Sequence, residues 1–171
     1  MVQLLRRISL VVLWALAAAG LACGVVWGAT AAGVIQPLVV ISGSMEPEIM
    51  TGDLLIATKA PADSLEVGDV VSLPSALTDS LVTHRITAIE PADGSYTITM
   101  KGDDNEFSDA LDYHVSGEVW KPTVQLPGWG TVIVRMTTPA VAVPLFLGLL
   151  GLLGLTMMSP VERPVRRPAT T

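Results

Sequence analysis

The chain of 171 residues holds a single cysteine, Cys23, and only two histidines, His84 and His114. One cysteine excludes an intrachain disulfide and any cysteine-rich metal site. The histidines stand 30 residues apart with no paired-ligand motif around either, so there is no zinc signature. Asp103-Asp104-Asn105 lacks the ligand spacing of a calcium loop, and no glycine-rich phosphate loop is present. No metal and no cofactor is therefore expected. Charge is scarce as well: 15% of residues are charged against 50% apolar, too apolar for an ordinary soluble domain of this size. The net charge of -6 argues against a nucleic-acid partner, which calls for a basic face.

The apolar excess is concentrated in two places. Residues 8–28 and 139–158 run without a charge. Each is about 20 residues, enough as a helix to cross a hydrocarbon core of about 30 Å. Arg6 and Arg7 precede the first run, Arg163, Arg166 and Arg167 follow the second, and nearly all Asp and Glu lie between. Basic flanks stay cytoplasmic, which places both ends inside and the acidic middle outside, although a loop of roughly 100 residues is only weakly bound by that rule. The expected organisation is a cytoplasmic start at 1–7, a first span at 8–28, an extracytoplasmic β-rich domain at 29–138, a second span at 139–158 and a cytoplasmic tail at 159–171. A cleaved signal peptide is the alternative for the first run, with Arg6-Arg7 at its start and Ala29-Thr30-Ala31 at its end. Against it, the run exceeds the roughly 7 to 15 residues of a signal-peptide core. Twin-arginine and lipid-attachment readings match poorly; Gly20 stands where the latter wants Leu. Cys23, inside the first run, reads as a small apolar packing residue.

Between the spans, short β-branched and apolar runs broken by Gly, Pro and Asp predict a small all-β domain. The expected strands cover residues 38–41, 54–57, 70–73, 81–89, 96–100, 115–119 and 131–134. Thr51-Gly52-Asp53, Val67-Gly68-Asp69, Asp93-Gly94 and Pro127-Gly128 supply the turns. The two Gly-Asp pairs look alike, and their expected role is to turn the chain into the strands that follow.

Ser42-Gly43-Ser44-Met45-Glu46-Pro47 follows an apolar strand at a glycine-containing bend. Such a bend can present a short side chain while leaving backbone N–H groups free to hold an oxyanion. A serine hydroxyl is a weak nucleophile at neutral pH and needs a base and a group that orients the base. Thr83-His84-Arg85 and the block from Lys101-Gly102-Asp103 to Asp109 offer one of each, in chain order. Bland readings stand beside these. His84 within an apolar strand also suits a hydrogen-bonded structural histidine, Arg85 on the opposite face suits an ion pair, and His114 suits the surface. Asp112 is close enough to Asp109 to compete with it, and Lys59 and Lys101 are the candidates for a Ser-Lys dyad. A non-catalytic, membrane-tethered β-domain that binds exported or surface proteins is the rival to an enzyme.

Taken together, the Ser42 to Pro47 block, Gly52-Asp53, Val67-Gly68-Asp69-Val70-Val71, Thr83-His84-Arg85-Ile86 and Lys101-Gly102-Asp103-Asp104-Asn105 resemble the type I signal peptidases. The likeness, over residues 39–131, is to the Ser-His-Asp branch found in archaea, the endoplasmic reticulum and some Gram-positive bacteria. It implies a mainly β, signal-peptidase-like catalytic domain with one transmembrane helix at each end. By the same resemblance Ser44 is the nucleophile, Ser42 the hydroxyl donor of the oxyanion hole beside the Ser44 N–H, His84 the general base, Asp109 the triad acid and Asp103 a supporting residue. Asp104 departs from the family, where many members carry Asn. Met45 packs beside the nucleophile. The implied partners are secretory preproteins with their signal peptides and membrane lipid, with the secretion machinery a further candidate. Two spans favour the plasma membrane of a prokaryote over the endoplasmic reticulum, where this family usually shows one amino-terminal anchor.

Overall fold

A computed structural model describes residues 2–157. Met158 and the tail at 159–171, with Arg163, Arg166 and Arg167, lie outside the described residues. The chain divides into two units, one of residues 25–137 and one formed by the sequence on either side. The larger unit is a seven-stranded antiparallel sheet in the order β1-β2-β7-β3-β4-β5-β6. Its strands are β1 (Ile35–Val39), β2 (Leu54–Pro61), β3 (Val70–Ser75), β4 (Ser80–Ala92), β5 (Ser95–Lys101), β6 (Tyr113–Val115) and β7 (Glu118–Leu126). Three helices complete the elements: α1 (Val2–Ala31), α2 (Trp129–Thr137) and α3 (Pro139–Met157). The protein is thus mainly β with an apolar amino-terminal helix.

The sheet has two lobes. β1, β2 and β7 form one ladder and β3 to β6 the other, and a single register pair, Ser72 opposite Trp120, joins them. Two apolar clusters fill the unit, and each draws on both lobes: Val119 of β7 joins one and Val70 of β3 packs on the other. Leu65, Val71, Leu73, Ile86, Ile98, Met100 and Val119 fill the larger. Met45, Ile49 and Leu55 form the smaller, with Leu38, Val40 and Val70 packed on it. The smaller cluster lies in and around the β1–β2 connection, so burial of Met45 and Ile49 fixes the segment that carries Ser44. Pro37 sits within β1, opposite Ile56, where an edge strand can tolerate a residue with no N–H.

Two expected strands are corrected. The run at 115–119 is split by a turn in which Gly117 takes φ 80°, leaving its halves in β6 and β7. Residues 131–134 lie in α2, not in a strand. The β-branched run Thr131-Val132-Ile133-Val134 carries strand propensity, but the start of α2 is docked on a turn. Thr131 N–H donates to Gly52 O at 2.9 Å, and a Cβ on Gly130 would stand 2.6 Å from Asp53 O and 2.8 Å from Gly52 O. Tertiary contact overrides local preference there.

The two Gly-Asp turns are built alike. Gly52 and Gly68 take φ 93° and 101°. Each following aspartate accepts, through its side chain, the N–H three residues back: Met50 for Asp53 and Glu66 for Asp69, both at 3.1 Å. Asp53 is 3% exposed and also accepts Gly128 N–H at 2.8 Å and Gln125 Nε2 at 2.7 Å. Burial pushes its carboxyl up, but the Gly128, Gln125 and Met50 donors together outweigh burial and hold it below the ordinary range. Asp69 is held low chiefly by its hydrogen bond to Lys121.

In α1, Arg7–Ala31 is 25 residues long and contains an 18-residue stretch with a mean hydropathy of 2.3, long and apolar enough to cross a membrane. Cys23 lies exposed on this helix. The carboxy-terminal helices are a broken pair. α2 and the part of α3 up to Gly154 pass the same test only if counted as one span. Pro139 disfavours helical geometry at Thr138, whose carbonyl instead accepts Val141 and Ala142 N–H and starts α3 afresh.

Asp53→Ala should strand three donors and cost about 3 kcal/mol in chemical denaturation of the detergent-solubilised chain, read by Trp fluorescence. Because the folded carboxyls of Asp53 and Asp69 are depressed, their contribution is complete above the unfolded value of about 4 and is lost as pH falls through the folded values. Stability should therefore hold from pH 7 to about 5, drop below about 4, and drop less steeply in Asp53→Ala.

Candidate active site

Ser44 stands in the β1–β2 connection. Glu46 N–H closes back on Gly43 O and Ile49 N–H on Met45 O, at 3.0 Å each, which buries Met45 and Ile49 and leaves Ser44 half-buried at the surface. The Ser44 carbonyl accepts Asp104 N–H at 2.9 Å from the other lobe. A Cβ on Gly102 would lie 2.5 Å from that carbonyl and 2.7 Å from Asn105 Nδ2, so the Lys-Gly-Asp block needs glycine to approach the serine backbone.

His84 lies in β4, opposite Val71. Alternation puts His84 and Ile86 on the buried face and Arg85 on the other. His84 Nδ1 is 2.7 Å from Asp109 Oδ1 and 2.9 Å from Oδ2, and Nε2 is 3.0 Å from Ser44 Oγ. A carboxylate only accepts, so in the neutral imidazole Nδ1 carries the proton and Nε2 accepts the Ser44 hydroxyl. Asp109 sits in the β5–β6 connection, tied by its N–H to Met100 O at 2.9 Å, and also accepts Tyr113 OH at 3.0 Å. Ser44, His84 and Asp109 are thereby joined in one hydrogen-bonded run. Ser42 Oγ is 3.4 Å from Ser44 Oγ.

The remaining candidates fall elsewhere. Asp103 makes no hydrogen bond to His84; its carboxylate meets Arg85 as a fork, Nε to Oδ1 at 2.8 Å and Nη2 to Oδ2 at 2.7 Å. That guanidinium holds the Asp103 carboxyl below its ordinary range. Arg85 also donates to Gly68 O at 2.9 Å and pairs with Glu48, so one side chain ties together the Ser44 segment, the Lys-Gly-Asp block and the second Gly-Asp turn. Asp112 is exposed and accepts Thr99 OH at 2.7 Å; His114 is exposed and bonds Thr97 at 3.1 Å. Lys59 pairs with Glu118 at 3.1 Å, and Lys101 ends β5 opposite Arg85. Among the described residues, His84 is the only base hydrogen-bonded to Ser44, and no cluster of His, Cys, Asp or Glu could hold a metal.

Sequence reasoning missed Tyr113, Glu48 and the packing role of Gly102. Only Gly102 left a signal, as a glycine inside a motif. Beside Ser44 and His84 a cavity of about 240 Å³ runs between residues 39–42 and residues 80–84, with Met45, Ile49 and Leu55 also lining it.

Comparison with known proteins gives relatives over part of the chain. No protein-family model matches the chain. Over 84 residues it is 36% identical to the signal peptidase complex catalytic subunit SEC11C of Homo sapiens and of Canis lupus familiaris, covering 48% of this chain and 43% of theirs. Against the signal peptidase complex catalytic subunit sec11 of Dictyostelium discoideum the identity is again 36% over 84 residues, 48% of this chain and 46% of that protein. The chain thus spans a little under half the length of these relatives. The similarity supports the signal peptidase family. It also overturns the expected setting: these relatives come from eukaryotes, so a prokaryotic plasma membrane does not follow. The argument for that membrane rested on two spans, and among the described residues only α1 passes as a span by itself.

Arg85→Lys keeps the charge but cannot form the fork, and it releases two of the three turns. Because these pairs are partly exposed, the stability loss should be only about 1 kcal/mol. Turnover of a preprotein should fall far more, since about 1 Å of misplacement can cost roughly 100-fold.

Proposed function

We propose that the chain is a membrane-bound serine endopeptidase of the Ser-His-Asp type that removes signal peptides from exported preproteins. The observation that carries this reading is the run Ser44–His84–Asp109, hydrogen-bonded in the sense that base catalysis needs, in a chain whose partial relatives are named as signal peptidase catalytic subunits. His84 Nε2 takes the Ser44 proton as Oγ attacks the scissile carbonyl, and the oxyanion is held by the Ser44 N–H and the Ser42 hydroxyl. The tetrahedral species collapses as His84 protonates the leaving amine. A water molecule, deprotonated by His84, then releases the acyl group and restores Ser44. Asp109 keeps the imidazole in the required tautomer and stabilises its protonated form.

The cavity beside Ser44 supports an extended substrate between residues 39–41 and 81–84. Alternate side chains would face the enzyme there, and a cavity of about 240 Å³ suits small ones. The proposed topology places residues 29–138 on the side opposite the basic ends, with 8–28 and 139–158 in the bilayer. Anchoring enzyme and signal peptide in one membrane raises their effective concentration. The relatives' names specify a complex, so partner subunits are part of the proposal.

Ser44→Ala should abolish cleavage of a preprotein by the purified chain while leaving its denaturation midpoint unchanged; cleavage persisting at the normal site would reject the nucleophile. Ser42→Ala should lower turnover by roughly 10² to 10³. Asp109→Asn should lower it by about 10⁴, because the amide favours the wrong tautomer.

A further inference from the structure

The catalytic run does not stop at Asp109. Its carboxylate sits in a connection of eleven residues between β5 and β6, residues 102–112, whereas its second donor, Tyr113, is the first residue of β6 and pairs in register with Ile98 of β5. Tyr113 OH donates to Asp109 Oδ2 at 3.0 Å, the oxygen that His84 Nδ1 approaches at 2.9 Å. A loop carboxylate is therefore held from the side by a group mounted on the sheet.

We infer that Tyr113 is a positioning residue for Asp109, and that Tyr113, Asp109, His84 and Ser44 act as one hydrogen-bonded chain. This rests on the serine-peptidase reading above. A carboxylate with one partner can rotate about its χ2 bond and present either oxygen to the imidazole. With Tyr113 on Oδ2 and His84 across both oxygens, rotation breaks two bonds instead of one. The donor does a second thing: it draws charge toward Oδ2, so Asp109 holds the imidazolium less tightly than an unshared carboxylate would. The phenol can serve in this way because it stays protonated. Burial, followed by the Asp109 carboxylate, pushes its ionisation up to about 12, beyond any working pH. Asp103 also acts on His84 at Coulombic range, but its charge is engaged by Arg85. Asp112 and His114 line a cavity of about 460 Å³ together with His84, Asp109 and Tyr113, and both are bonded outward, to Thr99 and Thr97. Arg85 lies on the opposite face of β4, and Lys101 ends β5 opposite it.

The test follows acylation of Ser44 by a fluorophosphonate, across pH, in the full chain in detergent, for wild type, Ser44→Ala and Tyr113→Phe. Tyr113→Phe retains the ring and removes the donor. Labelling at the optimum should fall roughly tenfold, the loss of one hydrogen bond to a charged group. Its acid limb should move to higher pH by roughly half a unit, because an unshared Asp109 favours imidazolium. With a preprotein substrate the loss should fall in kcat with KM unchanged. A purely structural Tyr113 would lower the denaturation midpoint and the active fraction but leave the pH midpoint of the remaining labelling in place, which would overturn the inference. So would a Tyr113→Phe profile superimposable on wild type. Absence of Ser44 labelling in wild type would instead reject the serine-peptidase reading beneath it.

Discussion

Arg85 is the constraint on which the site depends. The nucleophile and the acid arrive on two connections and the base on β4, and the two sheet lobes share one register pair. Arg85 is covalently next to His84 and reaches Asp103 in the acid's loop, Glu48 in the nucleophile's loop and Gly68 before β3. A planar fork with several fixed donors can satisfy such a set, where an ammonium acts as a point charge. Each pair is partly open to solvent and contributes little energy alone. Their joint effect is on geometry, because the tethered segments are those whose displacement moves Ser44 or Asp109.

Burial is graded across the site in a way that suits its parts. His84 and Asp109 are nearly enclosed, with side chains 10% exposed each, so their mutual attraction acts with little screening by water. Ser44 is half-buried and opens on the cavity between residues 39–42 and 80–84. Met45, next in sequence, is 3% exposed and roots the serine in the smaller apolar cluster. The chain thus turns from core to surface within one peptide unit, which a short, tightly closed connection makes possible.

The sheet was legible in the sequence wherever apolar alternation and turn chemistry agreed. The expected strands at 54–57, 70–73, 81–89 and 96–100 all lie inside observed strands, and Asp93-Gly94 does form the β4–β5 turn, with Gly94 at φ 72°. Legibility failed where a distant group decided the outcome. Nothing local in Thr131-Val132-Ile133-Val134 announces a helix, because the deciding contact is made with Gly52, nearly eighty residues earlier. Nor can a lone tyrosine four residues after Asp109 be told from a core aromatic until the fold brings its hydroxyl to the carboxylate. The motif blocks singled out Ser42, Ser44, His84, Asp103 and Asp109; the geometry sorts these into a hydrogen-bonded run and, for Asp103, an arginine partner. The second apolar run was equally visible, but its break at Thr138 depends on the Pro139 ring and on a carbonyl that caps a new helix.

Pro37 carries a consequence for self-association. A terminal strand of a sheet offers its outward row of donors and acceptors to any other extended chain, another copy of itself included. β1 is such a strand, and a proline within it removes one outward donor, so a full-length ladder with a neighbouring copy is interrupted midway. Beyond the proline, Val40 N–H and C=O are already engaged by Asp53 and Gly52. A second copy laid along β1 would therefore meet an edge broken at residue 37 and closed again at residue 40.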